Sequence, residues 1–334
     1  MGEKPFKTIK EQINILKDRG LIFLSEEHAE SELLRYGYYE IINGYKDSFL
    51  EEASLSANER YIDGTTFEQI FALFQFDKNL QHSIFKATIE FERIIKTAIS
   101  YVISEKYGSN QRNYLIRENY KNGRRSYYQG KSEYEIDQLF RKFNNIVKDE
   151  VEPFKHYREE HGNIPPWILL KGATFGNIRK FYTVQKSDIK NKIISIIYNI
   201  PETFVAENVE IKNLFSDTLA LCHMFRNRSA HNGRIYNYFS QKAIMRYSPL
   251  LHPEMNVTEA EYRLGLGKND IPTLMVALRM IDSSDPYVYI KVGLEFEIEK
   301  YNKIYSNELD KLLKLMCIDR YNMMKVGIQL PDHD

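Results

Sequence analysis

The chain has 334 residues, enough for more than one average domain and for a substantial buried core. A hydrophobic share of 43% excludes a disordered chain, and 46 basic residues balanced by 46 acidic ones exclude a partner held by a global positive field, so any nucleic-acid binding must come from local patches. No stretch approaches the roughly 18 uninterrupted apolar residues of a membrane span, the opening MGEKPFKTIKEQ has no hydrophobic signal core, and Cys222 and Cys317 sit in apolar stretches as thiols of a reducing compartment. The expectation is a cytoplasmic protein with no membrane partner.

The predicted elements are helical almost throughout, and the fold class read from them is mainly α. Short helices are predicted at 8–19, where Gly20 supplies a stop, and at 26–36. Over 67–102 the apolar positions Phe67, Ile70, Phe71, Phe74, Ile84, Ala87, Phe91, Ile94, Ile95, Ala98 and Val102 recur at steps of three and four, one face of a long helix. Asp77 breaks that stripe and reads as a buried hydrogen-bonding group. The stretch 105–131 is polar and loop-like; between 111 and 131 the basic residues are Arg112, Arg117, Lys121, Arg124, Arg125 and Lys131, against the single acid Glu118. Further helices are predicted at 133–150, at 166–183 behind Pro165-Pro166, at 188–199 before Pro201, at 209–225, at 229–247 and near 301–317. YVYIKVGLEF at 287–296 is the best strand candidate. Three parts result: an N-terminal helical segment (1–60), a helical core (61–250) interrupted by a basic insertion near 105–160, and a C-terminal helical extension (251–334).

FRNRSAHNGRIYNY, 225–238, carries the chemistry. Arg226 and His231 lie five apart, about 140° and about 7.5 Å along an uninterrupted helix, so they converge only if the chain bends. Asn227 and Ser229 are capping residues, which makes a helix start or kink plausible there. RNA carries its own nucleophile, the 2′-hydroxyl; a histidine can move its proton, a guanidinium can hold the charge of the phosphorane, and an asparagine can fix a phosphate oxygen. The same spacing also describes a capped helix start with surface charges, and residues alone leave both readings open. His223, one turn earlier, reads as helix surface. The 24 tyrosines suit either base stacking or ordinary packing. No histidine or cysteine pair has metal-ligand spacing and no glycine-rich phosphate loop is visible, so neither a metal nor a cofactor is expected.

RNRSAHNGRIYN resembles the RN-x-x-x-H-x-x-R-x-x-N signature of the Abi-like family of AbiF- and AbiD-type abortive-infection proteins. Other blocks resemble the family in order: KPFKTIKEQINILKDRGLIF; ELLRYGYYEIINGY at 32–45; the long helix at 71–100 with Phe76-Asp77 and the Glu92/Lys96 pair; and NIPPWILLKGATFGNIRKFY at 163–182. The family usually has arginine in place of Lys96, and often a basic residue where this chain has Asn79-Leu80-Gln81. The resemblance implies a HEPN-like helical bundle and RNase-type chemistry, with Arg226, Asn227 and His231 as its motif and two copies of the chain facing each other in a homodimer. Glu92 and Lys96 then read either as a helix-surface ion pair or as an orienting pair for the motif arginine. Arg234 reads as a phosphate contact or as a solvated arginine. RNA is the implied partner, with Arg112, Arg117, Lys121, Arg124 and Arg125 as binding residues.

Three functions compete at this point. One is a phage-defence ribonuclease that cuts by metal-independent 2′-hydroxyl attack, as in a toxin–antitoxin system. The second is a HEPN-fold module that grips a structured noncoding RNA without cutting it. The third is a helical scaffold for protein partners.

Overall fold

The computed structural model describes residues 5–51, 59–128 and 130–331, without the side chains of Tyr128 and Lys131, so the Lys131 side chain lies outside the described residues. The chain is mainly α. In order come α1 (Ile9–Asp18), α2 (Glu26–Tyr36), α3 (Phe67–Tyr107), α4 (Gln111–Tyr114), a hairpin of β1 (Arg125–Tyr128) and β2 (Lys131–Tyr134), α5 (Glu135–Val147), α6 (Phe154–Glu160), α7 (Pro166–Leu169) and α8 (Phe175–Thr183). Then follow α9 (Ser187–Tyr198), α10 (Glu202–Glu207), α11 (Val209–Ala230), α12 (Glu259–Arg263), α13 (Ile271–Arg279), α14 (Asp285–Tyr305), α15 (Leu309–Leu315) and α16 (Met323–Val326).

The long helix α3 is the axis of the molecule. The Thr66 side chain accepts from the Gln69 amide and the Gln69 side chain accepts from the Thr66 amide, a capping box that fixes where it starts. Its 41 residues span about 60 Å at 1.5 Å per residue. α11 and α14 pack along it, so it is buried on more than one face. Phe91 and Ile95 of α3 and Leu214 and Leu221 of α11 are buried, as the apolar periodicity requires. Gly293 of α14 meets Ser83 of α3 where a side-chain carbon would collide, which is what lets those two helices approach closely. One apolar core runs from Ile13 to Ile328, so the first and last helices share it.

Four expectations need correction. The helix expected at 229–247 is absent: the chain leaves α11 at Ala230 and runs irregularly to 251. The strand candidate 287–296 lies inside α14; Ile290, Leu294 and Ile298 are buried at steps of four while Val288, Val292 and Phe296 face outward, so the β-branched run serves a helical stripe. The predicted helix 166–183 is two helices, because Thr174 caps a new start by accepting from the Asn177 amide. The loop-like 105–131 ends in the β-hairpin, whose strands pair Arg125 with Tyr134 and Ser126 with Glu133.

Candidate active site

The motif closes a helix; it does not open one. α11 is capped at its start by the Asn208 side chain, which accepts from the Glu210 and Ile211 amides, and Arg226 and Asn227 lie in its last two turns. His231 is the C-cap. After it Asn232 takes the left-handed conformation (φ 57), the Asn232 amide donates to the Ser229 carbonyl at 3.2 Å, and the Gly233 amide donates to the Arg228 carbonyl at 3.0 Å. That double closure is a Schellman motif, which asparagine permits at the left-handed position. A side-chain carbon at Gly233 would lie 2.5 Å from Arg228 Nε, so the Arg228 side chain, which donates to the Arg234 carbonyl, would have to swing away.

Three side chains of α3, from adjacent positions and one turn on, then clamp the segment that follows. Lys78 Nζ donates to the Asn232 carbonyl (3.1 Å) and to Asn232 Oδ1 (2.9 Å), and Gln81 Nε2 donates to the Gly233 carbonyl (3.0 Å). Asp77 is fully buried: Oδ1 accepts from the Ile235 amide (2.9 Å) and the Tyr236 amide (2.6 Å), and Oδ2 accepts from the Tyr45 hydroxyl (2.5 Å). Its stripe-breaking position in the sequence thus marks the tie between α3 and the post-motif chain. Burial holds its carboxyl above the usual carboxylate range, against the pull of those three donors.

Further along α3, Glu92 sits buried between two cations. Its Oε1 is 2.8 Å from Lys96 Nζ, and its Oε2 is 3.6 Å from Arg226 Nε. The second contact is an ion pair without a hydrogen bond, and Arg226 Nε is buried with no hydrogen-bond partner. Both readings of the Glu92/Lys96 pair therefore meet in one carboxylate.

Asn227 is spent on a residue the sequence placed at the surface. Its Nδ2 donates to His223 Nε2 at 3.0 Å, and the His223 ring lies against Phe175. His223 is a half-buried part of the cluster. Burial first, then the positive charges of Arg179 and Arg226, push its pKa down to about 4, so the ring is neutral near pH 7. With Nε2 accepting from Asn227, the proton belongs on Nδ1, which is buried without a partner. Arg179, from α8, also escaped sequence reading; burial and the nearby charge of Arg124 lower its pKa while Glu135 raises it. Neither residue was accessible to a search for motif spacing, although the i,i+4 offset from His223 to Asn227 was a signal.

His231 stands apart from this cluster. It is exposed, and its ring makes no hydrogen bond to Arg226, Asn227 or any other described residue. Arg234 is not on a helix turn beyond it; its Nη1 donates to the Gly44 carbonyl at 2.6 Å and lies 3.8 Å from Asp47. In the basic segment, Arg117 pairs with Asp137 (2.8 Å), Lys121 donates to Ser187 Oγ (3.5 Å), and Arg125 lies over the Tyr134 ring; Arg112, Lys121, Arg124 and Arg125 are exposed. Arg124 bears on Arg179, and Arg179 on His223, through their like charges.

Among the described residues no three His, Cys, Asp or Glu side chains group as a metal site, and no helix is long and apolar enough to cross a membrane. Cys222 and Cys317 are free thiols, the first buried and the second half-buried. No curated protein and no solved structure matches the chain. The family model described as Abi-like protein matches residues 31–237, more than half of the chain, from α2 through the whole of the motif. The chain belongs to the Abi-like protein family, which points to abortive infection, a form of phage defence.

Proposed function

We propose that this chain is an abortive-infection ribonuclease of the HEPN type, which cleaves RNA through the 2′-hydroxyl of the nucleotide before the broken bond. The observation that carries the reading is the contrast at His231. Its backbone is fixed by the Schellman closure and by Lys78, Gln81 and Asp77, while its imidazole is exposed and unpartnered. A rigidly placed, free imidazole suits proton transfer. His231 takes the proton of the 2′-hydroxyl or delivers one to the departing 5′-oxygen. The new bond joins the 2′-oxygen to phosphorus, the bond to the 5′-oxygen breaks, and the ends are a 2′,3′-cyclic phosphate and a 5′-hydroxyl. Arg226, steadied by Glu92, holds the charge of the phosphorane. One chain supplies one motif histidine for two proton transfers, so a homodimer with two motifs face to face completes the chemistry.

Arg124 and Arg125 extend the RNA path from the motif. Neutralising both lowers the salt dependence of binding by roughly one unit per lost phosphate contact; an unchanged slope means that this hairpin is only solvated surface.

One observation favours a second reading, a module that grips a structured RNA without cutting it: the Asn227 amide is engaged by His223 and not by His231. Incubation of the purified chain with total RNA in EDTA separates the two. Cleavage by the parent and its loss in Arg226→Ala support the nuclease. RNA binding by both with no cleavage by either replaces it with the binding module.

A further inference from the structure

A cleft of about 420 Å³ opens beside the motif, and nothing described so far uses it. Its floor is one face of α3, on which Phe74, Lys78 and His82 follow one another at steps of four. α2 contributes Arg35 and Tyr36 to one wall, and α14 contributes Lys300 to the rim. Asn232, the immediate neighbour of His231, also lines it. Successive Cα atoms are about 3.8 Å apart, so the cleft begins one peptide unit from the proposed proton carrier.

The lining has the chemistry of a nucleotide. Three cations, Arg35, Lys78 and Lys300, face a single carboxylate, Glu40. Lys78 is anchored to Asn232 and stands 3.9 Å from Glu40, so its charge is fixed in place at the floor. Arg35 lies 3.5 Å from Glu32 and over the Tyr36 ring at 5.9 Å, Lys300 lies 4.0 Å from Glu297, and their side chains are 62% and 46% exposed. Such pairs are worth little in water and yield to a phosphate. The Tyr36 ring packs edge-on against Phe74 at 5.0 Å and remains 42% exposed, which leaves it a surface on which a base can stack. The volume falls in the range of pockets that enclose small ligands, roughly 300–1,000 Å³.

We infer that this cleft is a nucleotide subsite for single-stranded RNA: Arg35 and Lys300 hold a backbone phosphate at its mouth, Tyr36 stacks the base, and Lys78 couples the occupied cleft to the loop that carries His231. The inference rests on the ribonuclease reading and names how the substrate is held beside the broken bond. Single-stranded rather than duplex RNA is the ligand, because a paired base cannot enter a cleft walled by Tyr36 without leaving its stack.

The test uses the full chain and a fluorescein-labelled decauridine with 2′-O-methyl groups, which cannot be cut, read by anisotropy across a salt series. The double variant Arg35→Gln/Lys300→Gln alters two exposed side chains and leaves the clamp residue Lys78 in place. Its log affinity against log salt is expected to flatten by about 1.4 units, two contacts at about 0.7 each for a single strand. Tyr36→Leu is expected to weaken binding about 5- to 150-fold, with the slope unchanged. A parent that binds and cuts RNA while the double variant keeps its slope and Tyr36→Leu keeps its affinity overturns the subsite and leaves the nuclease standing. A parent that neither binds the decauridine nor cuts RNA overturns both.

Discussion

Replacing Asp77 by alanine isolates the tie that holds the motif loop to α3. The carboxylate is fully buried and satisfies the Ile235 amide, the Tyr236 amide and the Tyr45 hydroxyl. Alanine strands all three donors away from water, and each stranded buried donor costs about 1–3 kcal/mol. Part of that cost is offset, because the variant no longer buries a carboxyl that burial already pushes toward its protonated form. The net expected loss is about 2–4 kcal/mol. Asp77→Asn keeps an oxygen for the two amides and is expected to lose only about 1 kcal/mol. Hydrogen exchange at the Ile235 and Tyr236 amides reads the loss locally: about 2–4 kcal/mol corresponds to roughly 30- to 800-fold less protection in the alanine variant. Cleavage should fall with it while His231 itself is untouched, because a misplacement of about 1 Å can cost 10²-fold. Equal protection of these two amides in the parent and in Asp77→Ala would refute the argument that this carboxylate positions the loop.

Glu92→Gln removes the shared partner of Lys96 and Arg226 and should reduce cleavage by up to roughly 10²-fold, with a smaller change in RNA affinity; a rate equal to the parent's makes Glu92 a structural residue only. His223 binds no proton in the folded protein until about pH 4, whereas the unfolded chain takes one up below about 6.5, so folding stability should fall as pH drops from about 6.5 to about 4 and then level off. The full shift is worth about 3 kcal/mol, and solvent screening at this half-buried ring brings it to ~1–2 kcal/mol. His223→Gln, which can still accept from Asn227, should remove that slope; melting curves at pH 7 and pH 4.5 check it, and an unchanged difference contradicts it. Light scattering should give the mass of two chains, and a strict monomer both free and with RNA bound contradicts the paired-motif arrangement.

Much of the frame was legible because burial in helices leaves a period. The stripe of α3 marked that helix, 209–225 was read as a second one, and the break at Asp77 marked its buried role. The motif was legible as residue types, but its helical setting was not. Capping residues pointed to a helix start, whereas Asn232-Gly233, the asparagine–glycine pair that a helix end favours, carried the opposite and correct signal. YVYIKVGLEF read as a strand because β-branched and aromatic residues fit either period over ten residues; Pro286, at the first turn of α14, was the cue to a helix start. Arg179 and Lys78 reach the motif from positions 47 and 148 residues before Arg226, and no spacing rule brings residues so far apart into one cluster. His223 was closer to hand, four residues before Asn227, and was misread because it alternates with core residues.

The central claim is that the freely exposed His231 moves the proton of the substrate's own 2′-hydroxyl. Its most direct test is end-group analysis of an RNA oligonucleotide cut by the parent and by His231→Ala, beside the same oligonucleotide carrying a single 2′-deoxy nucleotide before the scissile bond. The parent should leave 2′,3′-cyclic phosphate and 5′-hydroxyl ends, His231→Ala should cut slower by roughly 10²–10⁴ with its fold unchanged, and neither should cut at the 2′-deoxy position. Cutting at that position, or a His231→Ala variant as fast as the parent, contradicts the claim.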